Sequence, residues 1–344
     1  MDLPSFSFST TAEEVATAFA DRIAGKNVLI TGTSINGLGF ETARVIARHA
    51  NLVILAGYSP ERLQLSKDAI KQELPSANIR CLTLDLSSLA AVRVAATEVN
   101  EYPEPIHVLI NNAAAAIAGF KLTVDGLESQ MAVNHVGHFL LTALLYPRLL
   151  AAKTETFTPR VVFVSSLAHA YCTGVDLAAL AHPTADAHDT WTAYYRSKAA
   201  NILTVRELAR RAAGALNAYS VHPGGIYTNI TKKAESRAYM QSPVRRSVPS
   251  YSHPLPALDP AHAGYVDADG NPTPNPTVFK TLPQGAATTV VAAFDPRLED
   301  KSGAYLADGA EDNASVAPHS TDPVMAEQLW ALTEKIIGQP FVLA

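Results

Sequence analysis

Short apolar runs alternate with amphipathic stretches along most of this chain. NVLIT (27–31), LVILA (52–56), IRCLTL (79–84), IHVLIN (106–111), VVFVS (161–165) and NAYSV (217–221) read as strands. Helical patterns are expected at 37–50, 60–73, 87–99, within 126–152, and at 189–213. These runs are mostly continuous apolar stretches rather than alternating ones, which points to a parallel sheet covered on both faces.

That combination predicts an α/β fold, a doubly wound (Rossmann) parallel sheet with helices on both faces. Outside this core, residues 11–23 read as a helix, with Thr11 and Glu14 spaced as a capping box. Residues 284–294 and 322–337 are expected to be helical and GAYL (303–306) to be a last strand. The regularity fails between about 230 and 280, which carries eight of the 22 prolines. Proline lacks the backbone donor, so this stretch is not one regular element. It follows the last core strand and reads as a substrate lid, the alternative being a passive loop. The expectation is one domain over 1–344: a helical extension (1–24), a nucleotide-binding and catalytic core (25–229), the lid (230–280) and the C-terminal helices and last strand (281–344).

Composition narrows the partners. With 48% hydrophobic and 17% charged residues, the 344-residue chain can bury a large core. A net charge of −5 argues against a nucleic-acid partner, because phosphate tracking needs a basic excess. No run of about 18 apolar residues is present, so no membrane span is expected. The first residues lack the pattern of a secretory signal. Two cysteines, Cys81 and Cys172, suit a reducing compartment, and cytoplasmic localisation is expected.

The chemistry lies at strand ends. TGTSINGLG (31–39) closes the first strand and opens the first helix, where amides and the helix dipole can meet a pyrophosphate. Gly32, Gly37 and Gly39 are its key glycines, with Ser34, Asn36 and Leu38 between them. No acid stands at Gly57, where one would bind both ribose hydroxyls of NAD. Tyr58, Ser59 and Arg62 remain to face a 2′-phosphate, so NADP(H) is expected over NAD(H). Asp85, Leu86, Asn112 and Ala113 end the third and fourth strands at the cofactor crevice, where a plain capping role is equally open. Tyr194 and Lys198 stand at i and i+4, one face of a helix. A nearby cation is expected to favour phenolate and bring the Tyr194 pKa down toward neutrality. His135 and His138 lack a third ligand nearby, so they are expected to pack the helix rather than bind metal.

Taken in order, these parts resemble the short-chain dehydrogenases/reductases of the compact type, over about 25–230. The resemblance rests on the glycine turn, Asp85, Asn111-Asn112-Ala113, Asn134, Ser166, Tyr194-x-x-x-Lys198 and Pro223-Gly224-x-x-x-Thr228. VNHVGHFLLT, VVFVSSLAHA, LPQGAATTVV and LWALTEKIIG look most like the retinol-dehydrogenase and WW-domain-oxidoreductase-like branch. The resemblance implies an NAD(P)-dependent oxidoreductase moving a hydride between nicotinamide and a carbonyl or alcohol of an apolar substrate. Tyr194 would be the acid/base, and Lys198 would lower its pKa and hold the nicotinamide ribose. Ser166 would bind the substrate oxygen, with Ser165 facing the core, and Asn134 would hold a relay water. Pro223, Gly224, Ile226 and Thr228 would line the nicotinamide end. A homodimer through helices 126–152 and 189–213 is possible by the same resemblance.

Two features depart from the family. Four residues, Thr33 to Asn36, separate the first two glycines where the family has three, and Ala114 stands where the family usually has Gly. Two other readings are a catalytically silent nucleotide-binding sensor or scaffold, and a sugar epimerase or dehydratase of the extended type.

Overall fold

Val28, Leu29 and Ile30 form the middle of β1 (Asn27–Thr31), and all three are fully buried. Successive side chains of a strand point to opposite faces, so a strand buried at every position needs a layer on each side. The computed structural model, which describes residues 3–115, 119–226 and 279–343, supplies both layers. Val28 and Ile30 join one apolar cluster, with Val290 and Phe19, while Leu29 joins another, with Leu140 and Leu203.

Among the described residues the strands are β1, β2 (Leu52–Gly57), β3 (Ile79–Thr83), β4 (Val108–Asn111), β5 (Arg160–Val164), β6 (Asn217–His222), β7 (Gly225–Ile226), β8 (Phe279–Lys280), β9 (Tyr305–Ala307) and β10 (Ala310–Glu311). Eight of them form one sheet in the order β3-β2-β1-β4-β5-β6-β9-β10, and β7 pairs with β8 in a second. Every pair in the large sheet is parallel except β9 with β10. The order reverses between β1 and β4, with Ile30 opposite both Leu55 and Ile110. Ligand crevices in such sheets open at the carboxyl ends of the strands at that reversal.

Among the described residues the helices are α1 (Ala12–Ala18), α2 (Ala20–Ile23), α3 (Leu38–Ile46), α4 (Pro60–Glu73), α5 (Leu89–Asn100), α6 (Ser129–Met131), α7 (Gly137–Leu150), α8 (Leu177–Ala181), α9 (Thr190–Ala212), α10 (Leu282–Phe294) and α11 (Pro323–Ile337). The Thr11–Glu14 capping box is present at α1. The expected helix over 11–23 is broken at Phe19, whose backbone (φ −110°, ψ 22°) leaves the helical region while its ring stays buried against Phe6. The expected helix within 126–152 is also interrupted, by a π turn at Ala132–Val136. At the C-terminus α11 packs on α9. Its Trp330 stacks on Phe341 at 5.0 Å and meets Phe139 edge-on at 4.7 Å. The expected lid over 230–280 lies almost wholly outside the described residues, as does Thr228. Among the described residues no helix is long and apolar enough to cross a membrane.

Candidate active site

Helix α9 starts cleanly because Asp189 accepts a hydrogen bond from Thr192 N at 2.7 Å. Tyr194 and Lys198 then lie one turn apart, with Lys198 Nζ 5.5 Å from the Tyr194 ring centroid. Two bonds tie this face to the end of β5. Lys198 Nζ donates to Val164 O at 2.9 Å, and Ser165 Oγ donates to Lys198 O at 2.8 Å. Ser165 is therefore a buried packing residue. Ser166, the next residue, caps a short 3-10 turn, its Oγ accepting from Ala168 N at 3.1 Å.

Burial dominates the electrostatics here. It pushes the Tyr194 phenol above its ordinary value, and the Ser166 hydroxyl acts in the opposite direction. It also pushes Lys198 down from 10.5 to about 8. The depression of the Tyr194 pKa expected from Lys198 is therefore not what this arrangement produces. A cation that has itself lost most of its water, and already donates to Val164 O, does not outweigh the desolvation of the phenol.

Asn134 sits in the π turn between α6 and α7, fully buried. Its Oδ1 accepts from Ala115 N at 2.8 Å and its Nδ2 donates to Ser197 Oγ at 2.9 Å. Ser197 Oγ in turn donates to Tyr194 O at 2.7 Å. The side chain of Asn134 is thus used to hold α9 and the 112–115 loop. The helix reaches this position because residue 137 is Gly: a Cβ there would lie 2.5 Å from Leu86 O.

The glycine turn is held by the side chain of Asn112, just past β4, and by the backbone of β2. Asn112 Nδ2 donates to Thr31 O at 2.7 Å and Gly32 O at 3.2 Å, and Gly32 N donates to Ala56 O at 2.7 Å. A Cβ on Gly39 would lie 2.4 Å from Asn112 Nδ2 and 2.5 Å from Gly32 O, so only Gly fits. The additional residue in the turn is absorbed locally. Gly37 N donates to Ser34 O at 3.0 Å, and Asn36 takes a positive φ of 62°, a conformation that Asn tolerates. Ala113 lies against Gly32, and Leu38 starts α3.

At the other end of the crevice, Tyr58 is 75% exposed and Arg62 is exposed. Ser59 is committed to the start of α4: its Oγ accepts from Arg62 N at 3.3 Å and donates to Glu61 Oε2 at 2.6 Å. This brings a carboxylate, unnoticed in the sequence, beside the residues expected to face a 2′-phosphate. Asp85 Oδ1 accepts from both Ser87 N (2.9 Å) and Ser87 Oγ (2.6 Å). Beyond β6, Pro223 is buried and Gly224 has a φ of 91°, with the Lys280 side chain filling the space a Cβ would take. Ile226 pairs with Lys280 in β7–β8 and its side chain packs at Gly285.

The residues present fit a nicotinamide dinucleotide. Gly37 leaves the first-turn amides of α3 without a side-chain cap, whereas Ser59, Ser88, Asp189 and Thr281 cap α4, α5, α9 and α10. The buried Thr33 hydroxyl in the same turn has no partner among the described residues. Four residues that hold the site together were not singled out in the sequence: Thr31, Gly137, Val164 and Ser197. Each is an ordinary core or helix residue by its type, and only the contacts above reveal its place.

The sequence profile of the family described as short chain dehydrogenase matches residues 26–176. The short-chain dehydrogenase TIC 32 A, chloroplastic, of Brassica napus is 32% identical over 335 residues, 96% of this chain and 93% of that protein. The WW domain-containing oxidoreductase of Homo sapiens is 33% identical over 338 residues, 96% of this chain and 72% of that protein. Among solved structures, an uncharacterized protein from Mycobacterium paratuberculosis aligns with a TM-score of 0.64 at 30% identity, covering 93% of this chain and 96% of that one. A short chain dehydrogenase from Escherichia coli CFT073 complexed with NADPH shares the fold, with a TM-score of 0.57 at 22% identity over 84% of this chain and 98% of that one. Relatives of this identity over almost the whole chain, on this sheet order, make the protein a member of the short-chain dehydrogenase/reductase family of oxidoreductases.

Proposed function

We propose that the chain interconverts a carbonyl and an alcohol on an apolar substrate, with Tyr194 as acid/base and NADP(H) preferred over NAD(H). One observation carries this reading: Tyr194 and Ser166, both half-buried, meet the buried Lys198 at the carboxyl end of β5. When bound, the nicotinamide gives or takes the hydride. Tyr194 gives or takes the proton at its Oη, and Ser166 Oγ orients the substrate oxygen. Lys198 has N–H groups beyond the one on Val164 O, and these suit ribose hydroxyls. The uncapped amides of α3 suit the pyrophosphate.

The test is a panel of aldehydes, ketones and alcohols read at the nicotinamide absorbance with both cofactors. Turnover of at least one carbonyl class with NADPH supports the reading; none across the panel overturns it. The compartment proposed is the cytoplasm, on the two cysteines, although the name of the Brassica napus relative places that protein in the chloroplast. A homodimer would need a face of α9 other than the one that α11 covers.

Cofactor preference has its own test. A Cβ on Gly57 would meet only Leu63, at 3.4 Å, so Asp fits there without strain. Glu61, held by Ser59, already places one negative charge near the 2′-phosphate position, so the wild-type preference should be modest, about tenfold or ~1.4 kcal/mol. Gly57→Asp is expected to reverse it, by repulsion and by a new ribose hydrogen bond. Ratios of kcat/KM for NADPH and NADH decide: a wild type that favours NADH contradicts the proposal.

A further inference from the structure

Thr31, at the carboxyl end of β1, determines which nitrogen of a buried histidine carries the proton. Its Oγ1 accepts from two backbone donors, Asn112 N at 2.9 Å and Ala113 N at 3.0 Å. A hydroxyl has two lone pairs and one proton. With both lone pairs engaged, the proton is directed to His138 Nε2 at 2.9 Å, since Ile110 O lies at 3.5 Å. Nε2 is therefore the acceptor. Nδ1 carries the hydrogen and donates to Asn134 O at 3.2 Å. The ring is fully buried, edge-on to Phe163, and burial pushes its pKa down to about 3, which keeps it neutral.

We propose that His138 is a positioning residue, whose Nδ1–H tautomer links the backbone at the end of β4, on the cofactor side, to the carbonyl of Asn134, on the proton-relay side. The proposal rests on the reading of Asn134 as part of the relay. Asn134 occupies a π turn, where the backbone departs from the regular α-helical ladder. Ala115 and Ser197 restrain its side chain, and the His138 N–H adds a restraint on the carbonyl itself. A shift of the cofactor-side loop would thus be felt at the relay through one rigid ring.

Three substitutions separate this role from simple packing. His138→Phe keeps the ring volume and removes both nitrogens. His138→Asn keeps a donor near the Nδ1 position, and His138→Gln keeps an acceptor near the Nε2 position. The Phe and Gln variants are expected to lose about 10–100-fold in kcat, with KM for cofactor and substrate within about threefold of wild type. The Asn variant should recover most of the loss. Full kcat in His138→Phe, or an Asn variant no better than Phe, overturns the proposal. Imidazole 15N NMR of the wild-type protein gives a second readout that requires no turnover and no variant. A neutral Nδ1–H tautomer at His138 supports the proposal, and an Nε2–H tautomer overturns it. A wild type without turnover on the carbonyl panel would sink the functional reading instead, a different result from an active wild type matched by His138→Phe.

Discussion

Tyr194→Phe is expected to lower kcat by about 10²–10⁴ while leaving cofactor affinity nearly unchanged. The change removes one oxygen and keeps the ring, so packing in α9 is preserved. On the proposed reading the neighbours on that face have other roles: Lys198 donates to Val164 O and offers its remaining N–H groups to ribose, and Ser166 Oγ, which accepts from Ala168 N, keeps its own hydrogen for the substrate oxygen. Tyr195 is the internal control. Its ring lies about 100° round the helix, against Tyr171 at 5.5 Å and Trp191 at 6.2 Å. Tyr195→Phe should keep most of the activity. Steady-state rates and a nicotinamide-fluorescence titration on both variants check this, and near-full activity in Tyr194→Phe would refute the catalytic assignment.

Lys198→Met is expected to abolish turnover and yet stabilise the fold. The lysine is 2% exposed and its pKa falls from 10.5 to about 8 on folding. Below pH 8 both folded and unfolded chains hold the proton, and the folded one bears the full cost of a buried cation. Between pH 8 and 10.5 the folded chain has released the proton and the unfolded chain still binds it, so wild-type stability rises with pH in that window. Removing the charge should therefore stabilise the protein at pH 7 by about 1–3 kcal/mol, less the lost bond to Val164 O. The advantage should shrink from pH 8 to 10.5. Urea unfolding of wild type and variant at pH 7 and 10 measures it, and a variant less stable than wild type at pH 7 would count against the electrostatic account. Activity should fall at least about 10²-fold, because the ribose and the phenol lose their cationic neighbour.

The parts of the site that the sequence showed are those set by local geometry. Tyr194 and Lys198 share a face because residues four apart on a helix do so. The glycine turn showed because a strand end, a helix start and close backbone approach all fall within nine residues. Ser165 and Ser166 were told apart by the family resemblance; Ser165 Oγ is buried on Lys198 O, and Ser166 Oγ accepts from Ala168 N. What the sequence hid depends on contacts between distant segments. The π turn at Asn134 follows from Ala115 and Ser197, 19 and 63 residues away. The raised Tyr194 phenol follows from burial, which a helical spacing does not report. The commitment of Ser59 to its helix cap, with Glu61 beside it, competes with the cofactor role read from its type. In the fold, strand existence was legible from apolar runs, while the break at Phe19 was not, because the capping and the helical pattern continue through it.

The most direct test of the central claim is the pH dependence of turnover in both directions between pH 6 and 8. A buried phenol with a raised pKa is protonated throughout this range, so reduction should be nearly independent of pH. Alcohol oxidation needs the phenolate, whose population rises about tenfold per pH unit below the pKa, so its rate should climb with a slope near one. Oxidation that is flat with pH, or a Tyr194→Phe variant that follows the wild-type rise at a wild-type rate, would contradict the account.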